Sequence, residues 1–305
     1  MRSRPRLVEE SVVRVHGPWT HRDVHANGIR FHVAEAGRGP LVLLLHGFPQ
    51  FWWTWRHQLV ALADAGFRAV APDLRGYGAT DKPPRGYDPM TAAADVAGLI
   101  RALGEREAVV VGHDWGGNVA WTVAATHPRL VRRLAIVSVP HPLCWAAALA
   151  RQPAQRGLIR SLARFQLPWH PERWLVADGA ANVARLIEDC AGPSFPLVDT
   201  QARWREAMLI LGAPHCSLEY FRWAVRSIPR SDGRRFRRLL RQPITAPTLQ
   251  LHGSQDRWVL PDSARGSGRF VAGDYVWRSI SGVGHFPHEE APEVVSDELV
   301  RWSTQ

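Results

Sequence analysis

The chain has 305 residues, 46% of them hydrophobic, and a formal net charge of +10. That size and composition suit one large α/β domain with an insertion, or two domains, and leave room for a sizeable core. They exclude a disulfide-stapled scaffold, because Cys144, Cys190 and Cys216 are the only cysteines and form no C-x-x-C pair. The three thiols read as small buried side chains in a reducing, cytoplasmic setting. The longest strictly aliphatic run, Leu41 to Leu45, is far too short for a membrane span.

The basic start, Met1-Arg2-Ser3-Arg4-Pro5-Arg6, is followed by no apolar stretch of the kind a secretory signal needs. From His21 to Ala36 apolar and polar residues alternate around Asn27-Gly28, which predicts a β-hairpin. Short apolar runs then recur at Leu41–Leu45, Arg68–Pro72, Ala108–Val111 and Leu134–Val139. Helical stretches separate them, at Gln58–Ala65, Thr91–Leu103 and Gly117–His127. Strands alternating with helices predict βαβ units and a mostly parallel sheet.

The rhythm breaks at Pro140-His141-Pro142, and the chain then reads as helices rich in Trp, Arg and Pro until about Arg235. The arginine-dense run from Arg226 to Arg241 reads as a solvated basic helix or linker. No nucleic-acid-binding signature accompanies it, so no nucleic acid partner is expected. Strands return at Pro247–Leu251 and Tyr275–Ile280, before a closing helix over Pro292–Trp302. The expected organisation is a core of residues 1–139 and 236–305, interrupted by a helical domain over 140–235.

The chemistry gathers at Gly112-His113-Asp114-Trp115-Gly116, which has the Gly-x-nucleophile-x-Gly form of a nucleophile elbow with aspartate in the central place. It lies between a predicted strand and a predicted helix, as such an elbow requires. A carboxylate is ionised at neutral pH and needs no base to attack. On an ester it would give a mixed anhydride. On a saturated electrophilic carbon it gives a stable alkyl ester, so epoxides and alkyl halides fit better than esters or amides. Cleaving that ester with water then requires a general base.

His285, in Val283-Gly284-His285-Phe286, follows the last predicted strand and is the expected base, with His288 its nearest competitor. Asp256, in the loop after Leu249–Leu251, is the expected orienting acid. Asp262 is the alternative, but its place at a helix start favours a capping role. The order nucleophile, acid, histidine is that of the hydrolases with this elbow. His46-Gly47-Phe48-Pro49 follows the strand Leu41–Leu45, and its turn aims the Phe48 N–H toward the elbow beside that of Trp115, as an oxyanion site.

Together these segments resemble the α/β-hydrolase superfamily and, within it, the epoxide hydrolases, over nearly the whole chain. Leu43 to Pro49 is similar to their oxyanion segment, Ala71 to Gly78 to the loop after the next strand, Gly112 to Gly117 to their nucleophile motif, and Gly284-His285-Phe286 to their histidine segment. The resemblance implies an α/β-hydrolase fold in which the helical insertion caps the site. Haloalkane dehalogenases share the aspartate–tryptophan elbow but usually carry Asn where Phe48 stands. Fluoroacetate dehalogenases usually carry Arg where Trp115 stands.

The family generally protonates the alkoxide of the opened epoxide with two cap tyrosines. Here the first corresponding position is Ser161, five residues before Gln166, and the second is Phe221, with Tyr220 one residue earlier. Tyr220 and Ser161 are therefore the candidate donors, with His170 and His215 as further possibilities. Adjacent helical residues point about 100° apart, so Tyr220 does not simply replace a residue at 221.

The expected protein is thus an epoxide hydrolase that forms a covalent ester on Asp114, with His285 and Asp256 activating water. No cofactor or metal is expected. The substrate is expected to be a small apolar or aromatic epoxide, held among tryptophans such as Trp52, Trp53, Trp55, Trp115, Trp145, Trp169 and Trp174. The quaternary state is expected to be monomer or homodimer. A dehalogenase on the same scaffold and a ligand-binding homologue with little turnover remain the alternatives.

Overall fold

The computed structural model describes residues 8–305, apart from the side chains at 158–161 and 197, so the basic run at residues 1–6 lies outside the described residues. Strands β1 (Thr20–Ala26) and β2 (Ile29–Ala36) form the predicted hairpin. Asn27 and Gly28 both take positive φ, 47° and 81°, as a two-residue turn matched to the twist of the strands demands. Six more strands follow: β3 (Leu41–Leu45), β4 (Arg68–Pro72), β5 (Ala108–His113), β6 (Val131–Val137), β7 (Thr248–Gly253) and β8 (Tyr275–Ile280). They build one eight-stranded sheet in the order β1-β2-β4-β3-β5-β6-β7-β8. β2 pairs antiparallel with β1 and β4, and every later pairing is parallel.

Helices cover the sheet. In chain order they begin with α1 (Arg56–Asp64), α2 (Pro89–Ala102) and α3 (Trp115–Thr126). Between β6 and β7 run α4 (Pro142–Arg151), α5 (Gly157–Phe165), α6 (His170–Cys190), α7 (Leu197–Met208), α8 (Ala213–Arg226) and α9 (Ser231–Leu239). The chain closes with α10 (Pro261–Ala264), α11 (Pro287–Glu290) and α12 (Pro292–Thr304). α9 runs across the boundary expected at 235, so the inserted helices end at Leu239. α6 is two helices joined at a kink, with Ala177 to Ala180 outside helical geometry.

The central strands β3, β5 and β7 are buried along their whole length, because helices lie on both faces. β3, β5, β7 and β8 are parallel, so their C-terminal ends converge on one edge of the sheet, where α/β folds place their ligands. Among the described residues, no helix is long and apolar enough to cross a membrane.

Candidate active site

Asp114 sits where β5 ends and α3 begins, with φ 49° and ψ −117°. Such a backbone is strained for a residue with a Cβ and persists only when its surroundings enforce it. The glycines of the elbow make the close packing possible. A Cβ on Gly116 would collide with the Leu45 and His46 carbonyls, and one on Gly47 would stand 2.5 Å from the Cβ of Asp114. β3, the loop after it and the start of α3 thus meet without side chains between them. The Phe48 N–H donates to Asp114 Oδ1 at 2.9 Å. Trp115 opens α3, and its N–H belongs to the first turn of that helix, whose amides have no partner within the helix.

The loop after β8 brings His285 to Asp114, and the loop after β7 brings Asp256 to His285. His285 Nδ1 donates to Asp256 Oδ2 at 2.8 Å, and His285 Nε2 lies 3.7 Å from Asp114 Oδ2. All three side chains are buried. Asp256 Oδ1 also accepts the N–H groups of Trp258 and Val259, each at 2.8 Å, and His252 Nε2 lies 3.3 Å from its other oxygen. Burial raises the Asp256 pKa, but His285 and His252 outweigh it and hold the carboxyl well below its ordinary range. Burial likewise opposes charge on His285, yet Asp256 and Asp114 together push its pKa up to about 10.

That shift has a consequence for stability. A histidine held above its unfolded value of 6.5 stabilises the fold fully below pH 6.5 and loses that contribution as pH rises to about 10. Both aspartates are held below their ordinary value and stay ionised through this window. Urea unfolding should therefore show stability falling between pH 6.5 and 10, by an amount on the order of a few kcal/mol. The His285→Gln variant should show a flatter profile over the same range.

A buried polar hub lies beneath the three loops. His113 Nε2 donates to the His285 carbonyl at 2.8 Å, and His113 Nδ1 lies 2.8 Å from Gln50 Oε1. The same Gln50 oxygen accepts the Gly47 N–H at 3.0 Å. One amide therefore ties the loop after β3 to the elbow, and His113 ties the elbow to the histidine loop. His288 belongs to this hub: it bonds to Thr54 at 2.7 Å and stacks on Trp55, away from Asp114. Asp262 lies within the first turn of α10, whose N-cap is Leu260, so it neither meets His285 nor caps the helix.

Above Asp114 is a narrow cavity with a mostly apolar lining. Asp114 and His285 form its polar floor, and the walls include Phe48, Phe165, Leu186, Cys190, Phe221 and Trp258. Phe221 packs edge-to-face on Phe48, Phe165 and Trp115, with ring centroids 5.0 to 5.1 Å apart. Tyr220, one helical step away, faces elsewhere. Its hydroxyl donates to the Arg75 carbonyl at 2.9 Å, and its ring packs among Tyr77, Tyr87 and Trp115. The expectation of Tyr220 as a proton donor is thereby corrected. Tyr220→Phe should leave turnover unchanged and cost about 1 kcal/mol in urea unfolding, the worth of one buried hydrogen bond.

Ser161 lies on α5, and its side chain falls outside the described residues. His170 is exposed, and His215 is exposed and pairs with Glu172 at 3.0 Å. The expected tryptophan pocket is also corrected. Trp52 and Trp55 are fully buried in the core and Trp169 is 74% exposed, whereas four phenylalanines and Trp258 line the cavity. Leu186 and Trp258 were not singled out in the sequence, and Cys190 was read only as a small buried thiol. They reach the site from the middle and end of α6 and from the loop that holds Asp256. Only Trp258 had a local signal, two residues beyond that acid.

The fold and the convergence of these loops define an α/β hydrolase, and the family model described as alpha/beta hydrolase fold matches residues 40–292. The chain is 33% identical to the AB hydrolase superfamily protein YfhM of Bacillus subtilis over 92% of this chain and 96% of that protein. It is 31% identical to Epoxide hydrolase 4 of Homo sapiens over 88% of this chain and 74% of that protein. Among solved structures, the epoxide hydrolase of Bacillus megaterium, crystallised with an inhibitor, superposes with a TM-score of 0.82. The two share 25% identity, and the match covers 93% of this chain and 100% of the other. The chain belongs to the epoxide hydrolase family of the α/β hydrolases.

Proposed function

We propose that the protein opens small apolar or aromatic epoxides to vicinal diols through a covalent ester on Asp114. The observation that carries this is the approach of a buried aspartate, a histidine and a second aspartate at the end of β5, with the Phe48 N–H on the nucleophile's own carboxylate. Helices α4–α9 act as a cap over the site, since Phe165, Leu186, Cys190 and Phe221 close the cavity from above.

In the first step an Asp114 oxygen attacks an epoxide carbon and the carbon–oxygen bond breaks. The departing alkoxide takes a proton from the imidazolium of His285, the charged acid facing the cavity. The product is a neutral hydroxyalkyl ester and a neutral imidazole. Losing the Asp114 charge also removes one of the two interactions that held the proton on His285. In the second step neutral His285, oriented by Asp256, takes a proton from water as the oxygen attacks the ester carbonyl. The Phe48 and Trp115 N–H groups stabilise the oxyanion. Collapse releases the diol and restores both the Asp114 carboxylate and the imidazolium.

A second reading is favoured by one observation. No side-chain hydroxyl is among the residues that line the described cavity, and a halide leaves without needing a proton. The two are separated by assaying the purified enzyme with styrene oxide and with 1-bromobutane. Diol from the first without bromide from the second supports epoxide opening. Bromide release with no diol replaces it with a dehalogenase.

A further inference from the structure

The outer side of the inserted helices carries a patch that the chemistry beneath it does not use. Leu167, Trp169 and Ile228 stand out of the surface there, exposed by 49%, 74% and 60%. Arginine side chains link the segments that bear them. Arg222 donates to the Leu167 carbonyl at 2.9 Å, Arg226 to that of Gln166 at 3.0 Å, and Arg237 to that of Ile228 at 3.1 Å. Trp169 takes a φ of +57°, in the left-handed region that disfavours a residue with a Cβ. A tryptophan that is strained and 74% exposed gains little from packing within this chain.

Arg222, beside Leu167, is neutralised by Glu172 at 2.7 Å and Glu219 at 2.9 Å, but the segment that carries Ile228 is one-sidedly basic. From Arg226 to Arg241 there are seven arginines and one aspartate, a net +6 out of the chain's +10. Among the described residues, their one ion pair is Arg230 with Asp232 at 3.2 Å, itself half-exposed. Arg226, Arg234 and Arg237 instead donate to backbone carbonyls, which fixes the guanidinium groups without neutralising them. An unneutralised basic surface selects an anionic partner. Protruding Leu, Ile and Trp side chains select a partner with an apolar interior beneath its charge, which a bilayer has and a polyanion lacks.

We propose that this face docks on an anionic phospholipid bilayer. Leu167, Trp169 and Ile228 enter the boundary between headgroups and acyl chains, and the arginines of the α8–α9 segment lie on the lipid phosphates. The same helices line the cavity on their inner side through Phe165 and Phe221. Docking therefore sets the cap against the phase in which an apolar substrate concentrates.

The test is co-sedimentation of the full chain at physiological salt with two kinds of vesicle: phosphatidylcholine alone, and phosphatidylcholine mixed with phosphatidylglycerol. Binding is expected only to the mixed vesicles. The double variant Trp169→Ser/Ile228→Ser should bind at least ~10-fold more weakly. So should Arg235→Glu/Arg238→Glu, whose native side chains make no hydrogen bond among the described residues. Unchanged thermal melts by circular dichroism establish that both variants are folded. The readout is binding, so it stands or falls independently of the reaction proposed above. Absence of sedimentation with the mixed vesicles overturns the proposal, as does wild-type binding by the serine variant. Binding to duplex DNA that the vesicles do not displace assigns the surface to nucleic acid instead.

Discussion

Asp114→Ala should lower turnover of styrene oxide by at least ~10⁴-fold while the protein remains folded, as seen by circular dichroism. On the proposed mechanism the loss is large because the carboxylate forms the bond to carbon, and burial keeps the neighbouring Cys190 thiol protonated. Asp256 is engaged by His285 and by two backbone N–H groups, on the far side of the imidazole from the cavity. The fold tolerates the change because the elbow is set by the close approach of Gly47 and Gly116 to their neighbours, which alanine at 114 leaves in place. Full activity in Asp114→Ala would remove the nucleophile from the account.

His285→Gln should reduce steady-state turnover by about as much, ~10⁴-fold, but with a different signature. On the proposed mechanism its substitution removes the acid of the first half-reaction and the base of the second. Asp114 keeps its charge and its Phe48 N–H contact, so attack continues slowly, whereas the ester has no group left to activate water. Intact-protein mass spectrometry after long incubation should show a persistent adduct equal to one substrate. Recovery of unmodified protein together with undiminished diol would contradict the role assigned to His285.

The sheet was legible because most of its strands are short apolar runs bounded by turns, and β3, β4 and β8 lie at their expected bounds. β6 begins earlier than expected, at Val131, because Arg132 and Arg133 interrupt the apolar pattern. In the fold those two side chains are covered by α12, Arg132 on the Ser303 carbonyl and Arg133 over the Trp302 ring. The positions of Asp114, Asp256 and His285 could be read because each follows a strand, and parallel strands deliver their loops to one edge. The upper half of the site could not. Whether 220 or 221 faces the cavity depends on how α8 packs on Phe48, Phe165 and Trp115, which are far apart in sequence. Cys190 reaches the wall from the end of α6, beyond the kink, where its carbonyl accepts the His285 N–H at 3.1 Å. Trp52 and Trp55 looked like pocket residues from their nearness to the oxyanion segment, yet both turn into the core, where Trp52 donates to the Val13 carbonyl.

No tyrosine lines the cavity above His285, so the proposed mechanism gives that histidine two duties in one cycle. In that proposal each half-reaction leaves the imidazole in the protonation state that the next one needs. The surface above the cap adds a way of presenting apolar substrates that does not depend on the chemistry below.

The covalent ester on Asp114 is tested most directly by a single turnover of the wild-type enzyme, in excess over styrene oxide, in water enriched in ¹⁸O. Attack of water on the ester carbonyl places the heavy oxygen in the carboxylate of Asp114, found by peptide mass mapping, and leaves the diol of that first turnover unlabelled. Heavy oxygen in the diol, with Asp114 unlabelled, would mean that water attacks the epoxide itself and that no ester forms.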